Sequence, residues 1–388
     1  MKKTLIFSMI ICMLFLTGCW SSVEINDRAF VSTILVDKGK NGNIDVTLTF
    51  PLPNRLATGQ SGGMLSLGKP YATLTYSGKN ISQAFHKIQV DLPRKISFGQ
   101  AKLVIIGQEM AKEGITKILE FIIREPSLNI NLAMFVTPGK AKNIINMVPT
   151  FERSQSRILL GFTKNNIALL TTPKDFLETV NGDMAVSILK VGKRKMVSEN
   201  GKKVVWVGTD GVALFKNYKM VAKLTSYEGR GALWLRNTIK RALVTIQSPT
   251  DHKEINLTVL QAKAKIHPSK GEPYTFDVHF NVEDDLLSES DSTIDLSKET
   301  NIKKLELIAE KDIIERIEGA FTASKKAGAD AFQFGEYLSW YKPKIWKKSE
   351  RNWSTLYQDK VKLNIHVDLK IKRRGTENNP FWTKELSP

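Results

Sequence analysis

The sequence predicts an α/β (α+β) chain in which mixed β-sheets are flanked by helices, in two to three domains, with antiparallel strands and a long helix in the C-terminal half. Three observations carry this reading. Strand-like and helix-like periodicities alternate over residues 71–150, at the spacing of a mixed sheet covered by helices on at least one face. The segments 274–282 and 361–371 alternate apolar and polar residues without a break, as half-buried strands do, and an antiparallel arrangement is the expectation for them. Between them Leu305, Ile308, Ile313, Ile317, Ala320 and Phe321 recur at helical spacing, which predicts one amphipathic helix over 302–324.

The chain opens with Lys2 and Lys3, an uncharged apolar run over residues 5–16, and then Leu16-Thr17-Gly18-Cys19. That run has the length of a secretory h-region and falls short of the roughly 20 apolar residues that span a bilayer. A small-residue cleavage site ending in cysteine is the bacterial lipoprotein signal. Residues 1–18 are expected to be removed between Gly18 and Cys19, and the Cys19 thiol to carry a diacylglycerol in thioether linkage. The other cysteine, Cys12, lies in the discarded segment, so the mature chain is expected to hold no disulfide, thiol nucleophile or cysteine metal ligand.

Residues 20–28 read as a tether. The β-branched run 29–36 and the alternating run 44–50 then predict a hairpin around 38–43, stopped by Pro51 and Pro53. Gly59, Gly62, Gly63 and Gly68 mark 54–70 as a loop. A strand is expected at 71–76 and a helix through Ile81, Ala84, Phe85 and Ile88, capped by Asn80 or Ser82. A buried strand at 102–106, one helix over 108–125, a strand at 130–136 and a short helix at 141–148 follow. Pro173, Phe176, Leu177 and Val180 suggest another short helix, and 192–201 is basic and turn-rich. A boundary is placed there, giving an N-terminal α/β domain at 19–200 and a C-terminal α+β domain at 201–388 that has room for further division. The second part is expected to begin with a strand pair, 204–207 and 212–215, and a helix from near Gly231. In 255–266 the apolar parity changes near Val259, as a β-bulge would make it.

Composition and motifs narrow the function. Hydrophobic residues make up 42% and charged residues 25%, the balance of a folded globular protein. The net charge of +18 is scattered among apolar residues rather than gathered with aromatics, which argues against a nucleic-acid partner. His86, His252, His267, His279 and His366 are isolated, with no metal-binding spacing. Ser66-Leu67-Gly68-Lys69 has the S-x-x-K form of an acyl-transferase but lacks its partner motifs. Gly229-Arg230-Gly231 starts like a dinucleotide loop, yet Trp234 stands where the third glycine would be. Asp284-Asp285 reads as a turn, and Trp340, Trp346 and Trp353 as core or interface packing in preference to the lining of a ligand site. Neither an enzyme nor a cofactor is expected.

The residues also carry a resemblance. Leu-Thr-Gly-Cys-Trp at 16–20, Glu24-Ile25-Asn26-Asp27-Arg28-Ala29-Phe30-Val31, the stretch 99–107, Arg124-Glu125-Pro126, the stretch 211–216, Ala329-Asp330-Ala331-Phe332-Gln333-Phe334-Gly335 and the closing strand to Gly375 together resemble the C subunits of spore-germination nutrient receptors, the Ger(x)C lipoproteins. Ser21-Ser22 departs from the more charged tether expected there. The resemblance implies three α/β domains and a lipid-anchored, non-catalytic subunit on the outer face of the spore inner membrane. Its implied partners are the receptor's A and B subunits and the membrane, reached through the N-terminal diacylglycerol, with no direct small-molecule ligand. The alternative from another class is an extracytoplasmic solute-binding lipoprotein.

Overall fold

The computed structural model describes residues 24–52, 69–147, 149, 152, 154–179, 181–196, 201–240, 242–289 and 294–373. Gly18, Cys19 and most of the predicted loop 54–70 lie outside them. A 3-10 turn, Ile25–Asp27, leads into β1 (Arg28–Phe30) and β2 (Thr33–Lys38). The sequence suggests one strand here, but the chain changes partners midway. Val31 N–H donates to Ser97 O and Ser32 N–H to Thr49 O, so β1 joins the segment Lys95–Ser97 while β2 enters the main sheet.

β2 and β3 (Ile44–Pro51) form the expected hairpin, and β4 (Tyr71–Gly78) adds beside β3. α1 (Ile81–Val90) is capped by Asn80, whose side chain accepts from Gln83 N–H, a bond typically worth about 1 kcal/mol. After β5 (Lys95–Ser97) and the fully buried β6 (Leu103–Gly107), the single helix expected at 108–125 is two, α2 (Gln108–Glu113) and α3 (Thr116–Arg124). Gly114 breaks it at φ 131°, a conformation open chiefly to glycine. The break turns Ile123 outward (51% exposed) while Ile118, Leu119 and Ile122 stay buried.

β7 (Ala133–Thr137) and a 3-10 helix, Ala141–Asn146, precede α4 (Gln155–Lys164), which the sequence pattern does not disclose. Its buried positions are Gln155, Ser156 and Leu159, so it shows little apolar periodicity. α5 (Pro173–Glu178) starts at a Thr172–Asp175 capping box. Residues 192–195 of the basic stretch are the end of β8 (Met184–Lys195), which pairs antiparallel with β9 (Lys203–Lys216). β9 replaces the expected strand pair. Its register jumps from Leu189↔Thr209 to Ser187↔Val212, which leaves Asp210 and Gly211 as a bulge with Gly211 at φ 82°. β10 (Lys219–Leu224) then closes the edge.

These strands form an eight-stranded sheet in the order β10-β9-β8-β7-β6-β2-β3-β4. Its centre, β2, β6, β7 and β8, is parallel, and an antiparallel pair extends each side. Both central faces are buried. Val104, Ile106, Met134 and Val136 share a core with α1–α3, and Leu103, Ile105, Ala133 and Phe135 share one with the 3-10 helix and α4. β8 and β9, one before and one after the expected boundary, pair with each other, and Ala185, Val212 and Leu214 belong to the core of the C-terminal half.

That half starts with α6 (Ser226–Leu235), five residues earlier than its apolar pattern suggests, because a Thr225–Glu228 capping box fixes its start. β11 (Leu243–Gln247), β12 (Glu254–Pro268) and β13 (Thr275–Glu289) run antiparallel, and the expected bulge falls between Val259 and Gln261. Asp284 and Asp285 are not in a turn; they lie within β13. The long helix α7 (Glu299–Ala327) ends at Gly328, which is left-handed at φ 62° while Ala329 N–H returns to Ser324 O. Helices α8 (Phe334–Tyr341), α9 (Pro343–Ser349) and α10 (Trp353–Asp359) lead to β14 (Lys362–Arg373). β14 pairs with β13 in parallel, against the antiparallel expectation for 274–282 and 361–371. The helical crossover between them brings the chain back in the same direction.

Candidate functional site

Ala329-Asp330-Ala331-Phe332-Gln333-Phe334-Gly335, one of the stretches that carry the resemblance, folds into a buried polar knot where the halves meet. Gln333 adopts a left-handed backbone (φ 67°) that starts α8. The turn brings two backbone donors onto one carboxylate: Phe334 N–H donates to Asp330 Oδ1 (2.8 Å) and Gly335 N–H to Oδ2 (2.7 Å). Trp353 Nε1 from α10 also donates to Oδ2 at 2.8 Å. Gly335 permits this approach, since a Cβ there would stand 2.7 Å from that indole nitrogen and 3.0 Å from the Trp346 ring.

The other side of the knot comes from the start of β8. Asp183 Oδ2 accepts from Asp330 N–H and Oδ1 from Asn217 N–H, both at 3.0 Å, while Gln333 Nε2 donates to Asp183 O at 2.8 Å. Burial pushes the Asp330 carboxyl up to about 6 even though its hydrogen bonds oppose the shift, and burial raises Asp183 too. Tyr357 is held well above its ordinary range by burial and then by the Asp330 charge; its hydroxyl pairs with Ser324 Oγ at 2.8 Å. Both Asp330 oxygens are occupied by donors, and the adjoining cavity of about 10 Å³ has room for about one water. The arrangement spends both Asp330 oxygens on fastening α8, α10 and the start of β8 together.

The other sequence candidates fall into place similarly. Gly18, Cys19 and Ser66 lie outside the described residues. Lys69 Nζ donates to Asn146 Oδ1 at 3.0 Å. Gly229 and Gly231 belong to α6 rather than to a phosphate loop: a Cβ on Gly231 would meet Arg316 O of α7 at 1.9 Å, so this glycine is there for helix contact. Trp346 and Trp353 are buried and Trp340 is 63% exposed. His267, His279 and His366, far apart in sequence, are brought side by side by the strand register. Their rings lie near parallel, with centroids 5.9 and 4.7 Å apart. Among the described residues no group of three or more His, Cys, Asp and Glu could hold a metal ion.

Asp284 continues the buried face of Phe276, Val278, Phe280 and Val282, and neither carboxylate oxygen has a hydrogen-bond partner among the described residues. Burial, then the neighbouring Asp285 charge, push it up to about 7. From the ordinary 3.8 to about 7, the native chain therefore binds more protons than the unfolded chain, and stability falls as pH rises through that window. Asp284→Leu is expected to make this slope shallower, leaving the part due to Asp330 and Asp183, and to stabilise the protein by about 2–4 kcal/mol at pH 8, with little gain at pH 4. Urea unfolding midpoints of both proteins across pH 4–8 would measure it, and an unchanged slope in the variant would remove Asp284 as the cause.

Two family models match the chain. One, described as "Spore germination protein N-terminal domain", matches residues 21–189, and the other, "Spore germination B3/ GerAC like, C-terminal", matches residues 210–375. Similar proteins include spore germination protein KC of Bacillus subtilis (strain 168), 24% identical, with 98% of each chain covered. Spore germination protein A3 of the same organism is 25% identical over 97% of this chain and 99% of its own. Spore germination protein GerQC of Bacillus cereus is 22% identical, with 97% and 99% covered. The crystal structure of the GerBC protein superposes with a TM-score of 0.56 at 16% identity, covering 87% of this chain and 96% of that one, a likeness of fold.

Proposed function

The chain belongs to the family of spore-germination receptor C subunits, and from that premise we propose that it is a lipid-anchored, non-catalytic subunit of a nutrient germinant receptor. The observation that carries the reading is the pair of family matches, which between them take in residues 21–189 and 210–375. A role in binding proteins rather than transforming a substrate agrees with a buried knot whose acids are spent on backbone donors. The partners we propose are the receptor's A and B subunits, with the spore inner membrane as the site of action. No helix among the described residues is long and apolar enough to cross a membrane. The Leu16-Thr17-Gly18-Cys19 motif is what supports attachment through Cys19, after cleavage behind Gly18.

Buried acyl methylenes contribute about 0.8 kcal/mol each, so a diacyl chain outweighs dispersed surface lysines, whose attraction is screened beyond about 8 Å at physiological salt. Cys19→Ala is expected to fold normally but to be released, or left as unprocessed precursor, and to weaken or abolish germination. The test is membrane fractionation after a high-salt wash, in cells lacking the partner subunits that would otherwise retain the protein. A variant that stays fully on the membrane at mature size would falsify the anchoring. Melting temperature with and without amino acids or sugars addresses ligand capture directly, because a ligand that binds the folded chain must raise it.

A further inference from the structure

Among the described residues β14 is the outer strand of its sheet, and its free side is open along one short window. Lys362 N–H donates to Tyr274 O at 3.0 Å, so the even-numbered peptide groups face β13 and the odd-numbered ones face outward. At both ends the outward groups are taken by side chains of α7. Lys325 Nζ donates to Val361 O at 2.7 Å, Leu369 N–H donates to Glu310 Oε1 at 3.0 Å, and Ile371 N–H donates to Glu306 Oε1 at 2.9 Å. Side chains that cap an edge in this way block pairing with another chain. Between the caps, the outward N–H and C=O groups of Leu363, Ile365 and Val367 have no hydrogen-bond partner among the described residues.

A groove runs along this window. It is an open space of about 700 Å³ between α7 and β14, with Phe321, Leu363 and Ile365 among its apolar lining and Lys325, Lys326 and Lys362 against a single acid, Glu318. An unpaired strand edge beside a helix, with an apolar floor and a basic rim, is the geometry of peptide capture by strand addition. We propose that this groove binds an extended, acidic segment of another polypeptide as a fifth strand beside β14. Leu363, Ile365 and Val367 would supply the backbone pairing, alternate apolar side chains of the segment would enter the groove, and its acids would face the lysines. The caps at Val361 and Leu369 set the length: about five residues can pair. The inference does not depend on the lipid anchor, and its failure would leave the family assignment untouched.

The test uses the full-length chain in detergent and two acetylated peptides, Glu-Val-Glu-Ile-Glu-Val-Glu and the same peptide with Lys for every Glu, read by fluorescence anisotropy. The acidic peptide is expected to bind at least about 10-fold more tightly than the basic one, and less tightly as salt is raised. Ile365→Pro removes an N–H that has no partner in the sheet, so the fold should tolerate it at an edge, while binding falls about 10-fold or more. Ile365→Val controls for the lost side-chain volume and should bind as the parent does. Lys326→Glu combined with Lys362→Glu should invert the preference between the peptides. Equal binding of both peptides, or full binding by a folded Ile365→Pro variant, would overturn the proposal. So would a gain in affinity on removing residues 374–388, which would make the chain's own tail the occupant. A self-association abolished by Ile365→Pro would likewise overturn it, in favour of a second copy.

Discussion

Asp330→Ala is expected to destabilise the protein by about 3–5 kcal/mol, among the largest losses that a single substitution in this fold should cause. The size follows from what the substitution leaves behind. Phe334 N–H, Gly335 N–H and Trp353 Nε1 all donate to this carboxylate and are buried, so truncation strands three donors at once. Each unsatisfied buried donor costs about 1–3 kcal/mol, and the removal of a buried charge offsets part of the sum. Asp330→Asn separates these contributions. It keeps one acceptor and the side-chain shape but turns an NH2 toward one of the donors, so a loss of about 1–3 kcal/mol is expected. Guanidinium unfolding at pH 7 gives both values. A loss below about 1 kcal/mol for Asp330→Ala would show that the knot does not hold the halves together.

The knot also shows what the sequence can and cannot disclose. The stretch 329–335 stands out as part of a resemblance, but its role depends on Asp183, which lies 147 residues from Asp330. No periodicity or spacing reports a pairing that only the tertiary fold creates. The same holds for the histidine ladder: His267, His279 and His366 look isolated until the register of β12, β13 and β14 aligns them. Local patterns are legible wherever one face is buried. β13 and β14 alternate cleanly, the bulge near Val259 shows as a change of parity, and Asn80 caps α1 as its side chain suggests.

The misreadings share a cause: a local signal overruled by a tertiary contact. Adjacent aspartates ordinarily mark turns, yet Asp284 is held inside a strand by the apolar residues on either side of it along the buried face. Gly208–Gly211 looks like a hairpin loop because glycines and an aspartate usually are one, whereas here Gly208 and Thr209 pair with β8 and only Asp210 and Gly211 bulge from β9. The parallel pairing of β13 and β14 could not be read from either strand, because both directions give the same alternation. The proposed lipid site is the reverse case. Gly18 and Cys19 rest on the sequence motif alone and lie outside the described residues.

Gly231→Ala is the second large effect expected, and it comes from one added carbon. α6 crosses α7 at this glycine so closely that a Cβ would lie 1.9 Å from Arg316 O, 2.5 Å from Arg316 C and 3.0 Å from the Ala320 Cβ. The obstacle is helix backbone, which cannot swing aside as a side chain would. The helices must therefore separate by more than about 1 Å to reach ordinary contact, and Trp234, Leu233, Ile313 and Ile317 in the same core would lose packing with them. A loss of about 3 kcal/mol or more is expected, at the upper end of overpacking effects. Gly161→Ala supplies the contrast. It lies in α4 with nothing within 4 Å of the added carbon, so the same substitution should stabilise by about 0.5–1 kcal/mol through helix propensity. Thermal melts of the two variants should move in opposite directions. If both rise, the α6–α7 contact is looser than the structure has it; if both fall, the open face of α4 is covered.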